Sequence, residues 1–386
     1  MTPAKSFFDA TPVERWIDTE MAAGRLTGGV VEICHAGRTA FARSFGVREQ
    51  AGTPATRDTA YWIASMTKPI VSVAAMQLIA EGAFALDDPV ETFIPDFGRR
   101  GVLQPDGRCV KANRPPLVRD LMTHLSGLTY GQFGNDEIHA AYMAAGVYDF
   151  ASDNEEMAGR LATLPLLHQP GTVFEYGMST DVLGRVIEVS AKAPLDEALR
   201  ALVLDPLDMT YTRFIPAPGQ LAALPDTPTV RGLAPPFREG QSWFSAGGGL
   251  SSTLPDYLRF AKMLLGGGEV DGERLLSADT FARMTRNHLP VDVAYGAYTA
   301  ALGITAPWEK NGLGFGLGLA VRTARRPELP GGLGEMFWPG VSGTNFWVDP
   351  ENQLIAILMT HAPEHRGQHR IDLRDALYVG LSKREQ

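Results

Sequence analysis

Ser65 and Lys68 stand three residues apart in YWIASMTKPIVSVAAMQLIAEG (61–82), where an apolar run at helical spacing begins. On a helix, positions i and i+3 share a face, so the hydroxyl and the amine project side by side. Ser65 falls at the predicted helix start, where unpaired N–H groups and the helix dipole favour developing negative charge. Pro69 is tolerated because the first turn has few intrahelical N–H bonds to lose. A serine hydroxyl becomes a useful nucleophile only when a base removes its proton. A lysine serves as that base only when neutral, which burial or a nearby cation promotes. Pro69, Ile70, Val71 and Val73 follow Lys68 and offer an apolar sleeve for its stem. An N-cap serine beside a snorkelling surface lysine would spell the same S-x-x-K, so the pair needs further residues to carry chemistry.

Three further stretches supply them: LMTHLSGL (121–128), PGTVFEYGMS (170–179) and WFSAGGGLSST (243–253). Together with Ser65-Met66-Thr67-Lys68 they resemble, in order, the motifs of the serine hydrolases related to class C β-lactamases and penicillin-binding proteins. The resemblance runs from about Gly28 to the C-terminal helix. Its nearest branch is the β-lactamase-like carboxylesterases, family VIII. Their S-x-x-K maps onto Ser65 and Lys68, their tyrosine onto Tyr176, and their W-x-G onto Trp338-Pro339-Gly340. The implied fold is α+β: an antiparallel sheet flanked by helices, plus an all-helical lobe, with the active site between them.

Two departures separate the chain from the β-lactamases. Met178 stands where they carry the asparagine of tyrosine-x-asparagine, and Trp338 stands where they carry a lysine or histidine. That cation helps bind the carboxylate of β-lactams and stem peptides, and losing a charge-assisted contact costs ~1.5–3 kcal/mol. Placing Val341-Ser342-Gly343 in the same slot would also leave it without a cation, and no K-T-G occurs in the chain. The expected function is therefore a serine carboxylesterase acting on short- to medium-chain esters. The alternatives are a β-lactamase or D-Ala-D-Ala peptidase, an acyltransferase, or a catalytically dead binding protein on the same scaffold.

The resemblance implies an acyl-enzyme on Ser65, with Lys68 as base and Tyr176 as proton shuttle. The oxyanion is expected on the N–H groups of Ser65 and Val341. Trp338 is expected to flank the site, and Tyr130, Phe133, Trp243, Phe244 and Phe337 to supply apolar walls. No metal or organic cofactor is expected, and the partner is a small-molecule ester.

Other signals have plainer readings. Ser152-Asp153-Asn154 spells the S-D-N of another β-lactamase class, but Ser152 with Glu155 reads as a capping box before EEMAGRLATLPLL. His361, His365 and His369 recur every four residues. Pro363 and Gly367 argue against a helix there, and no H-E-x-x-H is present, so a loop of solvated histidines is expected. His124 is expected to be structural. The chain has no complete G-x-S-x-G elbow.

The elements that position these residues come from both ends of the chain. Thr11-Pro12-Val13-Glu14 reads as a capping box opening an amphipathic helix. GGVVEICHAGRTAFARSFG (28–46) reads as a hairpin turning at His35-Ala36-Gly37-Arg38. Helical signals dominate from about Asp87 to Pro235, and strand signals return near Trp243 before a closing helix in IDLRDALYVGLSK (371–383). This predicts a discontinuous α/β domain of residues 1–86 and 236–386, with a mainly helical domain at 87–235. The 386 residues carry a formal net charge of −9, and no Lys/Arg cluster offers a footprint for nucleic acid. Cys34 and Cys109 are too few for a disulfide framework. MTPAKSFFDATPVERW (1–16) lacks an apolar segment of signal length, and no run approaches the ~18–20 residues of a membrane span. A cytoplasmic protein is the expectation.

Overall fold

The hairpin expected between Gly28 and Gly46 forms one edge of the main sheet in the computed structural model, which describes residues 8–227, 230, 237 and 240–382. Strands Gly28–His35 and Arg38–Gly46 are joined by Ala36 (φ 49°) and Gly37 (φ 76°). Two consecutive left-handed residues are what a tight two-residue hairpin turn requires.

The sheet has seven strands, antiparallel throughout. Their spatial order is Leu313–Phe315, Ala320–Arg322, Met336–Phe337, Asn345–Asp349, Leu354–Thr360, Gly28–His35 and Arg38–Gly46. Leu354–Thr360 is buried along its whole length, which is why LIAILMT is a continuous apolar run and not an alternating one. It pairs on one side with the N-terminal strand (Val31 opposite Leu358) and on the other with Asn345–Asp349 (Phe346 opposite Ile357). Strands from both ends of the chain thus share one sheet, and the α+β reading holds. No residue between 87 and 227 joins that sheet. The boundary placed at 235/236 lies outside the described residues.

Helices cover both faces. Leu254–Leu265 packs Tyr257 against Phe346, ring centroids 4.9 Å apart. On the other face, to which strand alternation turns Trp347, Arg374 of the closing helix Arg366–Ser382 lies 4.8 Å from that ring, and Thr11–Ala22 packs on this helix through Trp16 and His369. The helix after Ser65, Thr67–Ala80, is apolar all round and buried from Thr67 to Met76, as expected of a central core helix. Among the described residues no helix is long and apolar enough to cross a membrane.

Three local expectations need correction. The first helix has no capping box: Ala10 already has helical dihedrals, which puts Thr11 inside the helix, and Asp9 accepts the Thr11 N–H instead (3.0 Å). The helix after Ser152 is capped one residue later, by a reciprocal Asp153–Glu156 box, while Ser152 Oγ donates to the Asp149 carbonyl (2.6 Å). The histidines are not a solvated loop. The closing helix starts at Arg366 and takes in Gly367, because Pro363 lies ahead of it and a glycine in an exposed first turn costs little. His361 and His369 are buried, and only His365 is exposed.

The closing helix is tied to the sheet by a buried ionic cluster. Arg374 makes two 2.7 Å bonds to Glu335, and Arg322 approaches the same carboxylate at 3.5 Å, with both Arg322 and Glu335 side chains fully enclosed. Removing one member of such a cluster strands the others without counter-charge. Glu335→Ala should therefore lose about 3–5 kcal/mol of stability, read from urea unfolding midpoints. A loss under about 1 kcal/mol would mean the two guanidiniums are neutralised some other way.

Candidate active site

Ser65 lies in a 3-10 turn, Ala64–Met66, that runs straight into the buried helix. The residue before it, Ala64, has φ 45°, a left-handed conformation that costs a residue with a side chain about 1–3 kcal/mol. The surrounding chain over-determines this turn. The Trp62 N–H donates to Nε2 of His361 (3.0 Å), and the Trp62 indole donates to the Gly248 carbonyl (2.7 Å). The Ile63 N–H donates to the Leu250 carbonyl (3.1 Å). Ser342 Oγ donates to the Trp62 carbonyl (2.7 Å) and Thr344 Oγ1 to the Ile63 carbonyl (3.3 Å). Gly340 is required for that last approach: a Cβ there would stand 2.5 Å from the Ile63 oxygen and 2.1 Å from Thr344 Oγ1.

The three residues of the motif reading meet at this turn. Lys68 is fully buried, and its Nζ donates to the Gly247 carbonyl (2.5 Å), the Tyr130 hydroxyl (3.1 Å) and Ser65 Oγ (3.3 Å). The Tyr176 hydroxyl donates to Ser65 Oγ (2.7 Å) and accepts the Trp338 indole N–H (3.1 Å). Lys68 Nζ also lies 4.7 Å from the Tyr176 ring centre. Once either Lys68 or Tyr176 has given up a proton, the Ser65 hydroxyl has an acceptor within reach. The arrangement thus links the three side chains in one hydrogen-bonded cluster through which a serine hydroxyl can pass its proton to a lysine or a tyrosine. Ser65 and Val341 both line the adjoining cavity, and among the described residues neither backbone N–H donates to another group.

That cavity measures about 200 Å³ and is mainly apolar, with many aromatic side chains in its walls. Tyr130, Phe133, Trp243 and Trp338 stand in its walls, as expected. Phe337 does not. Strand alternation turns it away from its neighbour Trp338, to a place where the Arg374 guanidinium lies 5.8 Å from its ring. Phe244 is also absent from the walls and packs on Phe214 (5.0 Å). Met178 is fully buried away from the cavity, and Ser152 is enclosed in the helical lobe. His124 is buried, accepts the Gly177 N–H at Nδ1 (3.4 Å) and supports the Tyr176 ring at 4.8 Å. Burial, with Lys68 adding to it, holds its pKa well below 6.5, so it is a neutral support. Among the described residues no cluster of His, Cys, Asp or Glu suits a metal ion.

The sequence reading missed several cavity residues. Tyr148, Phe150 and Tyr298 extend the aromatic wall, Leu302 adds an aliphatic one, and Asp181 reaches the cavity from the helix Ser179–Ala191. Arg366 and Arg370, on the first two turns of the closing helix, also line it. Arg370 donates to the Gly340 carbonyl (2.8 Å). Burial and the neighbouring Arg366 push its pKa down to about 9, against a smaller opposing pull from Tyr176. A site with tryptophan at position 338 is therefore not free of positive charge, because a helix far along the chain brings its own. Helical spacing makes Arg366 and Arg370 share a face, a pattern open to reading once the helix itself is recognised.

The chain is similar to known proteins over most of its length. Residues 13–379 match the family described as Beta-lactamase. An uncharacterized protein of Mycobacterium tuberculosis is 38% identical over 359 residues, covering 89% of this chain and 88% of its own. Esterase EstB of Burkholderia gladioli is 30% identical over 402 residues, covering 96% and 95%. Among solved structures, EstCE1, a hydrolase with promiscuous acyltransferase activity, superposes with a TM-score of 0.80 at 26% identity, over 96% of this chain and 98% of its own. Unliganded simvastatin synthase LovD from Aspergillus terreus shares the fold with a TM-score of 0.75 at 20% identity, over 97% of this chain and 99% of its own.

His361 makes the nucleophile turn sensitive to acid. Its Nε2 accepts from Trp62 and its Nδ1 donates to the Ala223 carbonyl (3.2 Å), so it must stay neutral. Burial takes its pKa from 6.5 to about 4. As pH falls through that window the unfolded chain binds a proton that the fold refuses, so stability is full above about 6.5 and drops by about 3 kcal/mol on reaching pH 4. Gln at 361 still accepts the Trp62 N–H without titrating, so His361→Gln should flatten that part of the stability profile in urea titrations. Parallel profiles for the two proteins would refute this.

Proposed function

This chain belongs to the Beta-lactamase family, and from that footing we propose that it is a serine carboxylesterase that cleaves short- to medium-chain esters through an acyl-enzyme on Ser65. The observation that carries the reading is the buried cluster of Ser65, Lys68 and Tyr176 at the floor of a cavity with aromatic walls. The resemblance to esterase EstB and to the hydrolase EstCE1 supports ester chemistry.

In the proposed sequence, Lys68 or Tyr176, sharing a proton, receives the Ser65 proton as Oγ attacks the ester carbonyl. The tetrahedral oxyanion turns towards the N–H groups of Ser65 and Val341, each worth about 3–4 kcal/mol in the barrier. Tyr176 then protonates the leaving alcohol and, on the return half, draws a proton from the water that releases the acid. The aromatic walls favour an uncharged acyl or alcohol group. With Arg366 and Arg370 present, that preference rests on the walls and not on an absence of positive charge.

A transferase variant of the same chemistry has specific support in the description of EstCE1, whose acyltransferase activity accompanies hydrolysis. An alcohol in place of water would resolve the acyl-enzyme into a new ester, so product analysis with added alcohol separates the two.

On p-nitrophenyl butyrate the protein should turn over rapidly, and on the cephalosporin nitrocefin slowly or not at all. Ser65→Ala should reduce ester cleavage at least ~10³-fold, and Tyr176→Phe should come close to that, since the cluster acts as a unit. Retained activity in folded Ser65→Ala would sink the mechanism. Dominant nitrocefin turnover would favour the β-lactamase alternative.

A further inference from the structure

The proposed mechanism leaves one buried acid beside the base without a role. Asp181, on the first turn of the helix Ser179–Ala191, is only 2% exposed. Its Oδ1 accepts from Ser245 Oγ (2.6 Å) and from the Gly247 N–H (3.0 Å). Gly247 in turn offers its carbonyl to Lys68 Nζ at 2.5 Å, the shortest of the lysine's three contacts. A side chain at 247 would stand 2.4 Å from Asp181 Oδ2 and 2.9 Å from the Tyr130 hydroxyl, so only glycine lets carboxylate, peptide and amine approach this closely.

We propose that Asp181 is a positioning residue: through Gly247 it fixes where Lys68 presents its nitrogen to Ser65, and its negative charge sets the pH at which Ser65 becomes reactive. This rests on the reading of Lys68 as the base for Ser65. A buried carboxylate is costly without a cation, and Lys68 is the cation that acts on it. The other titratable groups that sense Asp181 are the hydroxyls of Tyr130 and Tyr148. Burial raises the Asp181 carboxyl pKa, while Lys68, Ser245 and the Gly247 N–H oppose that rise.

A purely structural Asp181, anchoring the 245–250 segment to a helix start, would need only an acceptor oxygen. Asparagine supplies one, which makes Asp181→Asn a test of the charge. A nearby negative charge favours the protonated form of an amine, so removing it should bring the onset of Ser65 reactivity to lower pH. The acid limb of the kcat/KM profile on p-nitrophenyl butyrate should therefore move down by about one pH unit. The rate on the plateau should fall several-fold as the base weakens. The pH dependence of Ser65 labelling by a fluorophosphonate should shift the same way, and this reads nucleophile activation without turnover. Asp181→Glu keeps the charge but displaces the oxygens, so its limb should stay at the wild-type pH while its plateau falls.

An Asp181→Asn limb that is unmoved, or moves up, overturns the proposal while leaving Ser65 chemistry intact. If wild-type Ser65 is neither labelled nor required for turnover, the reading beneath it falls and this proposal falls with it. Should Asp181→Asn not fold, Asp181→Glu decides the matter: a displaced acid limb in that variant overturns the role assigned to the charge.

Discussion

A nitrogen sealed from water must find all of its acceptors inside the protein, and Lys68 finds three on three different segments. Gly247 belongs to the glycine-rich run that precedes the helix Leu254–Leu265, Tyr130 to the helical part of the chain, and Ser65 to the turn before the lysine's own helix. Satisfying one amine therefore draws these segments onto a common point. The same point needs Ala64 in a left-handed conformation, which persists because Leu250, His361, Ser342 and Thr344 all hold the turn. Strain at Ala64 and burial of Lys68 are two sides of one constraint. Neither would survive if the sheet and the helical part were free to separate.

Much of this was legible from local pattern. The hairpin around Ala36-Gly37, the fully buried strand Leu354–Thr360 and the core helix after Ser65 each carry a period or turn signal that tertiary context reinforces. That Ser65, Lys68 and Tyr176 converge was open to reading because each sits in a recognisable short context. Legibility stopped where a residue acts at long range. Asp181 looks like an ordinary acid in a first helical turn, and nothing local says that its helix start faces Gly247, 66 positions away. Arg366 and Arg370 were hidden by reading Pro363 and Gly367 as helix breakers, although a proline ahead of the first turn and a glycine within it permit a helix. Phe337 was misplaced because being next to Trp338 in sequence means facing away from it on a strand.

The two helix starts erred in opposite directions, one residue early and one residue late. At Thr11 and at Ser152 the residue types of a capping box were present, yet the helix chose a neighbouring frame. A cap depends on which residue leaves helical dihedrals, and that is decided by how the preceding chain docks. Asp9 and Asp153 do the capping work because the chain arrives with those carboxylates over the free N–H groups. Composition announces that a helix starts, while packing decides where.

Trp338 shows how a substitution read from sequence as a loss becomes a change of kind. An indole in place of a lysine or histidine does remove a charge, but its N–H is aimed at the Tyr176 oxygen at 3.1 Å. A neutral donor to that oxygen contributes about 0.5–1.5 kcal/mol, less than a charged one, yet it fixes the direction of the phenol and leaves its proton for Ser65. The ring packs at 5.2 Å from both Tyr176 and Phe315, so the donor cannot swing away as a lysine on its flexible stem can. Full positive charge enters instead from Arg366 and Arg370, and Arg370 is bound to the carbonyl of Gly340 just along the same segment. Orientation of the Tyr176 phenol and supply of charge, which one lysine would combine, are here divided between a strand-end tryptophan and a helix.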